Sequence, residues 1–319
     1  MQNTRPVTIS GATGFIGSAL SASLRGRVLR RALRLPSTVA LPEDFVVGDI
    51  GPNTDWRAAL AGADCVVHLV ARTHVLDRAS DTLAAYRHIN VEATRNLALQ
   101  AVAAGVRRFV FLSSIKVNGE STPEHPYTET DVPAPQDAYG VTKHEAEVVL
   151  RDIAARSSME LVILRPPLVY GPGVKGNFLR LLRLIDLGVP LPVASVRNRR
   201  SLIHVANLVD AIVTCMDEPA AAGHAWLASD ADISTPDLIR KLAAGMGRPA
   251  RLLPCPPAML TLAAALVGQS TTVARLTGSL RVDASNLRTI LGWRPRIPLD
   301  QGLIDSARWY HQTQIKRRN

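Results

Sequence analysis

Tyr139 and Lys143 stand four residues apart in Tyr139-Gly140-Val141-Thr142-Lys143, at the start of a stretch, 139–155, that reads as a helix. At that spacing they share one helix face. A free tyrosine, with a pKa of about 10, is a poor acid or base at neutral pH. A neighbouring ammonium favours the phenolate and lowers that pKa. Ser114 closes the apolar run Arg108-Phe109-Val110-Phe111-Leu112-Ser113-Ser114, read as a strand whose C-terminal end is where α/β sheets bind ligands. A hydroxyl to hydrogen-bond a substrate oxygen, a phenol to move its proton and a lysine to tune the phenol together serve hydride transfer between a carbinol carbon and a nicotinamide. Lys143 can also hold the nicotinamide ribose. Tyr-x-x-x-Lys arises often by chance as an ordinary surface pair. Its weight here comes from its setting, a helix after a strand ending in Ser-Ser, downstream of a glycine-rich turn.

That turn is Gly11-Ala-Thr-Gly14-Phe-Ile-Gly17, between a β-branched strand, Val7-Thr8-Ile9, and a helix from Ser18 to Leu24. Glycines allow a tight turn and close backbone approach to a pyrophosphate, and the helix N-terminus offers unpaired N–H groups. The spacing is Gly-x-x-Gly-x-x-Gly and departs from the commoner Gly-x-Gly-x-x-Gly, so a turn without a ligand is the competing reading. A second strand, Val28 to Leu33, ends at Arg34, where NAD-binding folds usually carry an acidic residue for the ribose hydroxyls. A guanidinium there suits a 2′-phosphate and places NADP ahead of NAD; the alternative is a solvated arginine. Further along, Phe45–Ile50 reads as a third strand that carries Asp49, and Trp56–Leu60 begins a helix. Cys65–Ala71 reads as a buried parallel strand, and Tyr86–Ala104 as a long helix. Residues 119–137 read as a loop and Leu161–Leu164 as another strand. Alternating strand and helix predicts a doubly wound, parallel α/β sheet.

From Pro166 the texture changes, with Pro166-Pro167, Gly171-Pro172-Gly173 and Pro190-Leu191-Pro192 interrupting the chain. The expected organisation is a dinucleotide-binding domain over 1–165, a smaller domain over 166–319, and a segment near 201–227 that returns to the first, built from a strand, Leu202–Val205, and a helix, Ala206–Met216.

A chain of 319 residues with 47% hydrophobic and 20% charged residues can bury a substantial core without staples. The net charge is +10, but the basic residues are scattered apart from Arg197-Asn198-Arg199-Arg200 and Lys316-Arg317-Arg318, no zinc-finger pattern accompanies them and aromatics are only 4%. Small anionic ligands fit this better than nucleic acid. Three dispersed cysteines, Cys65, Cys215 and Cys255, and a first strand within ten residues of Met1 point to a reducing cytoplasm with no targeting segment. The apolar stretch Ala258–Val267 is too short to span a bilayer and reads as a buried or interface helix. His68, His74, His88 and His204 lack metal-ligand spacing, so no metal is expected.

Taken together, these residues resemble the extended short-chain dehydrogenase/reductases, the NAD-dependent nucleotide-sugar epimerases and dehydratases, with a Rossmann-type sheet and a smaller C-terminal substrate-binding domain. The resemblance implies a cofactor site made of Gly11, Thr13, Gly14, Phe15, Ile16, Gly17, Arg34, Asp49, Ile50, Leu69, Val70, Ala71, Asn90, Tyr139, Lys143 and Pro166. It implies catalysis by Ser114, Tyr139 and Lys143, and substrate contacts from Ser114, Asn177, Arg200 and Arg275. Tyr170-Gly171-Pro172 is similar to a family motif, and Arg200-Ser-Leu-Ile-His-Val resembles a segment that normally has Asp after the Arg. Related enzymes are commonly homodimers through the two helices flanking the active site.

Departures narrow the reaction. Dehydratases of the family carry Asp-Glu just after the serine or threonine, where this chain has Ile115 and Lys116. Isoleucine does no acid–base work, which argues against dehydration; the cysteine of the epimerase-reductases and the glutamate of the decarboxylases are absent as well. Leu168 replaces an asparagine that touches substrate in many members. What remains is chemistry at C4 of a UDP-sugar, either 4-epimerisation or reduction of a 4-keto sugar, as in bacterial surface-polysaccharide synthesis. Two other readings are a reductase of non-sugar carbonyls such as steroids or flavonoids, and an NADP-sensing protein without turnover. Arg200, Asn177 and the basic balance oppose the first, and the Tyr139–Lys143 pair opposes the second.

Overall fold

The computed structural model describes residues 5–36, 43–73, 82–122, 124–266 and 270–318. His74, Val267 and the side chains of Lys316, Arg317 and Arg318 lie outside the described part. In chain order the N-terminal elements are β1 (Val7–Ser10), α1 (Phe15–Ser23), β2 (Leu29–Leu33), β3 (Asp44–Val46), α2 (Arg57–Leu60), β4 (Cys65–His68) and α3 (Thr82–Arg87). A single π-helical turn, His88–Glu92, joins α3 to α4 (Ala93–Ala103). Next come β5 (Arg108–Leu112), a 3₁₀ turn at Ile115–Val117, α5 (Ala138–Ala155), β6 (Glu160–Arg165), β7 (Leu168–Tyr170), α6 (Gly176–Asp186), β8 (Arg200–His204), α7 (Val205–Asp217), β9 (Ala225–Leu227) and β10 (Ala231–Ile233). The chain ends with α8 (Thr235–Gly245), α9 (Pro257–Leu266), α10 (Ser270–Thr277), α11 (Ser285–Ile290) and α12 (Leu299–Arg318).

Seven strands form one parallel sheet in the order β3-β2-β1-β4-β5-β6-β9. The sheet is doubly wound and Rossmann-like, and the strand order reverses between β1 and β4. Period-two alternation sorts its side chains. Val110, Leu112, Val162 and Leu164 face one core with Leu20 of α1 and Leu208 and Ile212 of α7. Their neighbours Phe109, Phe111, Leu161 and Ile163 face a second core with Leu97 of α4 and Ala146 and Leu150 of α5. Because both faces are covered, the strands read as continuous apolar runs with no polar alternation.

A three-stranded sheet, β10-β8-β7, and helices α6, α8 and α12 build a C-terminal lobe with its own core of Phe178, Leu182, Leu202, Ile239, Leu242 and Leu303. In the segment 201–227, β8 joins this smaller sheet, while α7 packs on the large sheet and β9 pairs with β6. Leu287, Leu291 and Trp293 also belong to the large sheet's core.

Several boundaries differ from the sequence reading. Helix α1 starts at Phe15, three residues before Ser18, because Gly14 takes an extended N-cap geometry (φ −72°, ψ 174°). Asp49 and Ile50 lie beyond β3, which stops at Val46 because its partner β2 ends at Leu33. Likewise Leu69–Ala71 follow β4 as loop. The helix expected over 86–104 begins at Thr82 and is broken by the π turn.

Candidate active site

The glycine turn sits at the C-terminal end of β1, beside the point where the strand order reverses, which is where open α/β sheets bind ligands. Gly11 has φ +80°, and an added Cβ would lie within 3.2 Å of Val70. A Cβ on Gly17 would lie 2.1 Å from the Gly11 carbonyl oxygen, so α1 approaches the turn closely only because residue 17 has no side chain. There is no acidic residue in the first turn of α1, so its positive dipole end is not neutralised from within. This cradle fits a dinucleotide pyrophosphate. Thr13 is exposed at the turn, Ile16 packs on the sheet core, and Phe15 reaches the C-terminal lobe and lies against Gly173. Leu69 N donates to the Ser10 carbonyl at 3.1 Å, which places Leu69, Val70 and Ala71 beside the turn. Arg34 and Asp49 form an exposed pair, Nε to Oδ1 3.6 Å, of the kind that contributes little to stability. Ile50 packs partly into the second core.

Helix α5 brings Tyr139 and Lys143 to the same end of the sheet. Asp137 caps its N-terminus, accepting from Gly140 N at 2.8 Å. Gly140 lets the helix seat on the 3₁₀ turn, since a Cβ there would meet the Lys116 carbonyl oxygen at 2.7 Å. That seating sets the Tyr139 phenol beside the Ser114 hydroxyl, its hydrogen-bonding neighbour. One turn on, Lys143 is buried, donating from Nζ to the Leu112 carbonyl at 2.8 Å with Nζ 4.3 Å from the Phe111 ring centroid.

The electrostatics correct one expectation. Lys143 was expected to lower the tyrosine pKa. Instead burial, followed by the Asp137 charge, pushes the Tyr139 phenol up to about 12, with Ser114 offsetting part of the rise. Burial brings Lys143 down to about 7, and Glu147 opposes that shift. In this arrangement desolvation sets the direction of the shift at both groups.

Behind these groups lies a buried polar chain. His68 Nδ1 lies 2.5 Å from Ser10 Oγ and its Nε2 2.9 Å from Thr94 Oγ1. Burial and then the Lys143 charge hold His68 down to about 3, so it is neutral at physiological pH. Asn90 sits in the π turn and accepts from Arg72 N at 2.7 Å. It donates to the Arg72 carbonyl at 3.1 Å and to Thr142 Oγ1 at 3.0 Å, which ties α5 to the loop after β4. π turns of this kind occur often at functional sites. Pro166 accepts from Ile115 N at 3.0 Å and holds the 3₁₀ turn against the end of β6.

From the C-terminal lobe, Arg275 of α10 reaches to 3.5 Å from Glu120 and 3.5 Å from Asp137. Lys116 pairs with the same two carboxylates, at 3.0 Å to Glu120. Burial alone would raise Asp137, but Lys116 and Gly140 N–H hold it below its usual value. Arg200 opens β8 and donates to the Gly278 carbonyl at 3.0 Å; burial and then the Arg275 charge lower its pKa. Two mutually repelling guanidinium groups at one place suit a multivalent anion. Asn177 is exposed in the first turn of α6. The structure thus brings Ser114, Tyr139 and Lys143 together and sets Arg275, Arg200's neighbour, 3.5 Å from Asp137 at the cap of the helix that carries Tyr139; among the described residues, no hydrogen bond joins Asn177 to either group.

Sequence reasoning passed over Lys116, Glu120 and Asp137 as a network, and over the pair Glu147–Arg165. Glu147 follows Lys143 by four residues on the same face, a spacing that signals coupling. Its partner comes from β6, 18 residues away, which no local pattern reveals. Among the described residues, no cluster of three or more His, Cys, Asp or Glu could hold a metal ion.

The profile of the NAD dependent epimerase/dehydratase family matches residues 7–228. The chain belongs to this family. It is 44% identical over 319 residues to the UDP-glucose 4-epimerase of Vibrio cholerae, covering 97% of this chain and 96% of that one. It is 30% identical over 259 residues to the N-acetyl-α-D-glucosaminyl-diphospho-ditrans,octacis-undecaprenol 4-epimerase of Escherichia coli O157:H7, covering 80% and 77%. Among solved structures, MoeE5 in complex with UDP-glucose and NAD superposes with a TM-score of 0.79 at 26% identity, covering 97% of this chain and 99% of that one. The family's enzymes are NAD-dependent, and no helix among the described residues is long and apolar enough to cross a membrane.

Proposed function

We propose that this protein is an NAD-dependent 4-epimerase of a hexose carried on a diphosphate, with a UDP-sugar as substrate. The observation that carries the reading is the convergence of Ser114, Tyr139 and Lys143 at the C-terminal ends of the sheet strands, with Arg275, beside Arg200, reaching the cap of the same helix. The two relatives named above share, by name, 4-epimerisation of a sugar on a diphosphate.

Residues 1–165, with the returning segment near 201–227, hold the cofactor in this reading, and 166–319 mainly hold the substrate. Gly11, Thr13, Gly14, Phe15, Ile16 and Gly17 cradle the pyrophosphate. Leu69, Val70, Ala71, Asn90, Tyr139, Lys143 and Pro166 line the nicotinamide side, and Arg34, Asp49 and Ile50 the adenosine side. When bound, NAD supplies the two-electron oxidation and re-reduction at C4. Ser114 hydrogen-bonds the C4 oxygen and Tyr139 takes and returns its proton. Lys143, one helical turn from Tyr139, holds the nicotinamide ribose. Arg200, Arg275 and Asn177 hold the diphosphate end and leave the sugar free to present either face.

A second reading, reduction of a 4-keto sugar with NADPH, is favoured by two observations. The Tyr139 phenol keeps its proton to about 12, and Arg34 stands at the end of β2. In either case the product serves surface-polysaccharide synthesis in the cytoplasm. A homodimer through α4 and α5 is part of the proposal and is supported by exposed Leu99 and Val148 on those helices.

Denaturing the purified protein and weighing the released nucleotide separates the readings. Near-stoichiometric NAD means a captive cofactor and an epimerase; an empty site that binds NADPH reversibly means a reductase. Binding of neither refutes both. Tyr139→Phe is expected to lower kcat by at least about a hundredfold while the nucleotide stays bound. Unchanged turnover would remove Tyr139 from the chemistry.

A further inference from the structure

Six of the fourteen large hydrophobic side chains exposed among the described residues fall in two short segments, Leu184, Leu187 and Val189, and Leu253, Met259 and Leu262. Backbone hydrogen bonds stitch these segments side by side, Leu191 N to Arg251 O at 2.8 Å and Leu253 N to Leu191 O at 2.9 Å. Arg251 Nη1 also donates to the Gly188 carbonyl at 3.2 Å. Helix α9 turns Leu260 into the lobe's core and leaves Met259 and Leu262 about two-thirds exposed, at 62% and 67%. On α6, Arg180, Arg183, Leu184 and Leu187 follow one exposed face by helical spacing, opposite buried Phe178, Leu182 and Ile185. The sequence reading made the 258–267 stretch a buried or interface helix; its exposed residues call for a covering surface.

The charge of this edge is mostly basic. Residues 180–191 and 248–262, which form it, contain four basic residues, Arg180, Arg183, Arg248 and Arg251, and one acidic. The single carboxylate, Asp186, pairs with Arg248 at 3.4 Å. Among the described residues, Arg180, Arg183 and Arg251 have no carboxylate at ion-pair distance. A second copy of the chain would set arginine against arginine across this patch. An anionic surface with an apolar interior complements both its charge and its exposed side chains.

We propose that this edge of the C-terminal lobe docks peripherally on an anionic phospholipid bilayer. Leu187, Leu253, Met259 and Leu262 enter the boundary between headgroups and acyl chains, and Arg180, Arg183 and Arg251 pair with lipid phosphates. The attachment is interfacial, since none of the described helices can span a membrane. It does not depend on which sugar reaction the protein performs.

The test is sedimentation of the full chain with vesicles of phosphatidylcholine alone or with added phosphatidylglycerol, at low and high salt. The expected result is binding to the anionic vesicles, weakened by salt, with little binding to phosphatidylcholine. Met259→Ser/Leu262→Ser, at positions too exposed to affect folding, is expected to lower partitioning by about tenfold or more. Arg183→Gln and Arg251→Gln are each expected to lower it about fivefold, the equivalent of ~1 kcal/mol per charge. Nucleotide binding serves as the folding control and is expected to be unchanged in all of them. Absence of binding to anionic vesicles, or equal binding by the Met259/Leu262 variant, overturns the proposal and assigns the patch to a protein partner.

Discussion

Glu147→Gln takes the negative charge out of a buried pair one helical turn beyond Lys143. Glu147 and Arg165 side chains are 2% and 5% exposed and meet at 2.5 Å and 2.9 Å. Ser113 donates to the same carboxylate at 2.5 Å, and Arg165 donates to Asn118 at 3.0 Å. With its hydrogen bonds filled, the network is stable; with Glu147 neutral, the guanidinium stays buried without a counter-charge. Breaking such a pair costs about 3–5 kcal/mol. For 319 residues the unfolding entropy is roughly 0.7 kcal/mol/K, so Tm is expected to fall by about 4–8 °C. Arg165→Met is expected to cost a similar amount. The double variant is expected to cost less than the sum of the singles by about 2 kcal/mol or more, because the second change removes the charge that the first left stranded. Denaturant titration of the four proteins measures this cycle. The same substitution has a kinetic signature. Glu147 supports the Lys143 ammonium, whose pKa burial has brought to about 7. Without that support Lys143 loses its proton at lower pH, and the alkaline limb of kcat is expected to move to lower pH. A single variant within about 1 °C of the parent, or an additive double, would refute the reasoning.

Gly17→Ala is expected to abolish retention of the nucleotide while leaving the sheet folded, because the new methyl would meet the Gly11 carbonyl oxygen at 2.1 Å; mass analysis of released nucleotide checks it. Burial pushes Asp230 up to about 6, against hydrogen bonds from His204 N and Asn207. The native state therefore binds a proton between pH ~4 and ~6 that the unfolded state has released. Its stabilising contribution is complete below ~4 and is lost as pH rises through ~6, so Asp230→Asn is expected to flatten the stability curve across that window, read by Tm against pH. Burial raises the Cys65 and Cys215 thiols to about 12, so in the native protein a thiol reagent is expected to modify Cys255, which is partly exposed, and to reach the other two only on unfolding.

Much of the site can be read locally. Val7–Ile9, the three glycines and the helix after them are consecutive, and the Tyr139–Lys143 pair lies within one helical turn, so periodicity and steric rules were enough to name them. The apolar runs at Cys65–His68 and Arg108–Leu112 announced a sheet covered on both faces. Local patterns ended where partners come from distant elements. Glu147 finds Arg165 across an α–β crossover, Arg275 reaches Glu120 and Asp137 from the other lobe, and Asn90 joins Arg72 to Thr142 through a π turn. Leu208 and Trp226, within the segment expected to return near 201–227, pack on the first sheet, and Leu287, outside that segment, packs there too. The protonation states were tertiary as well. Spacing placed an ammonium near a phenol, but the sign of the shift at Tyr139 follows from how much water the folded chain removes, and only packing decides that.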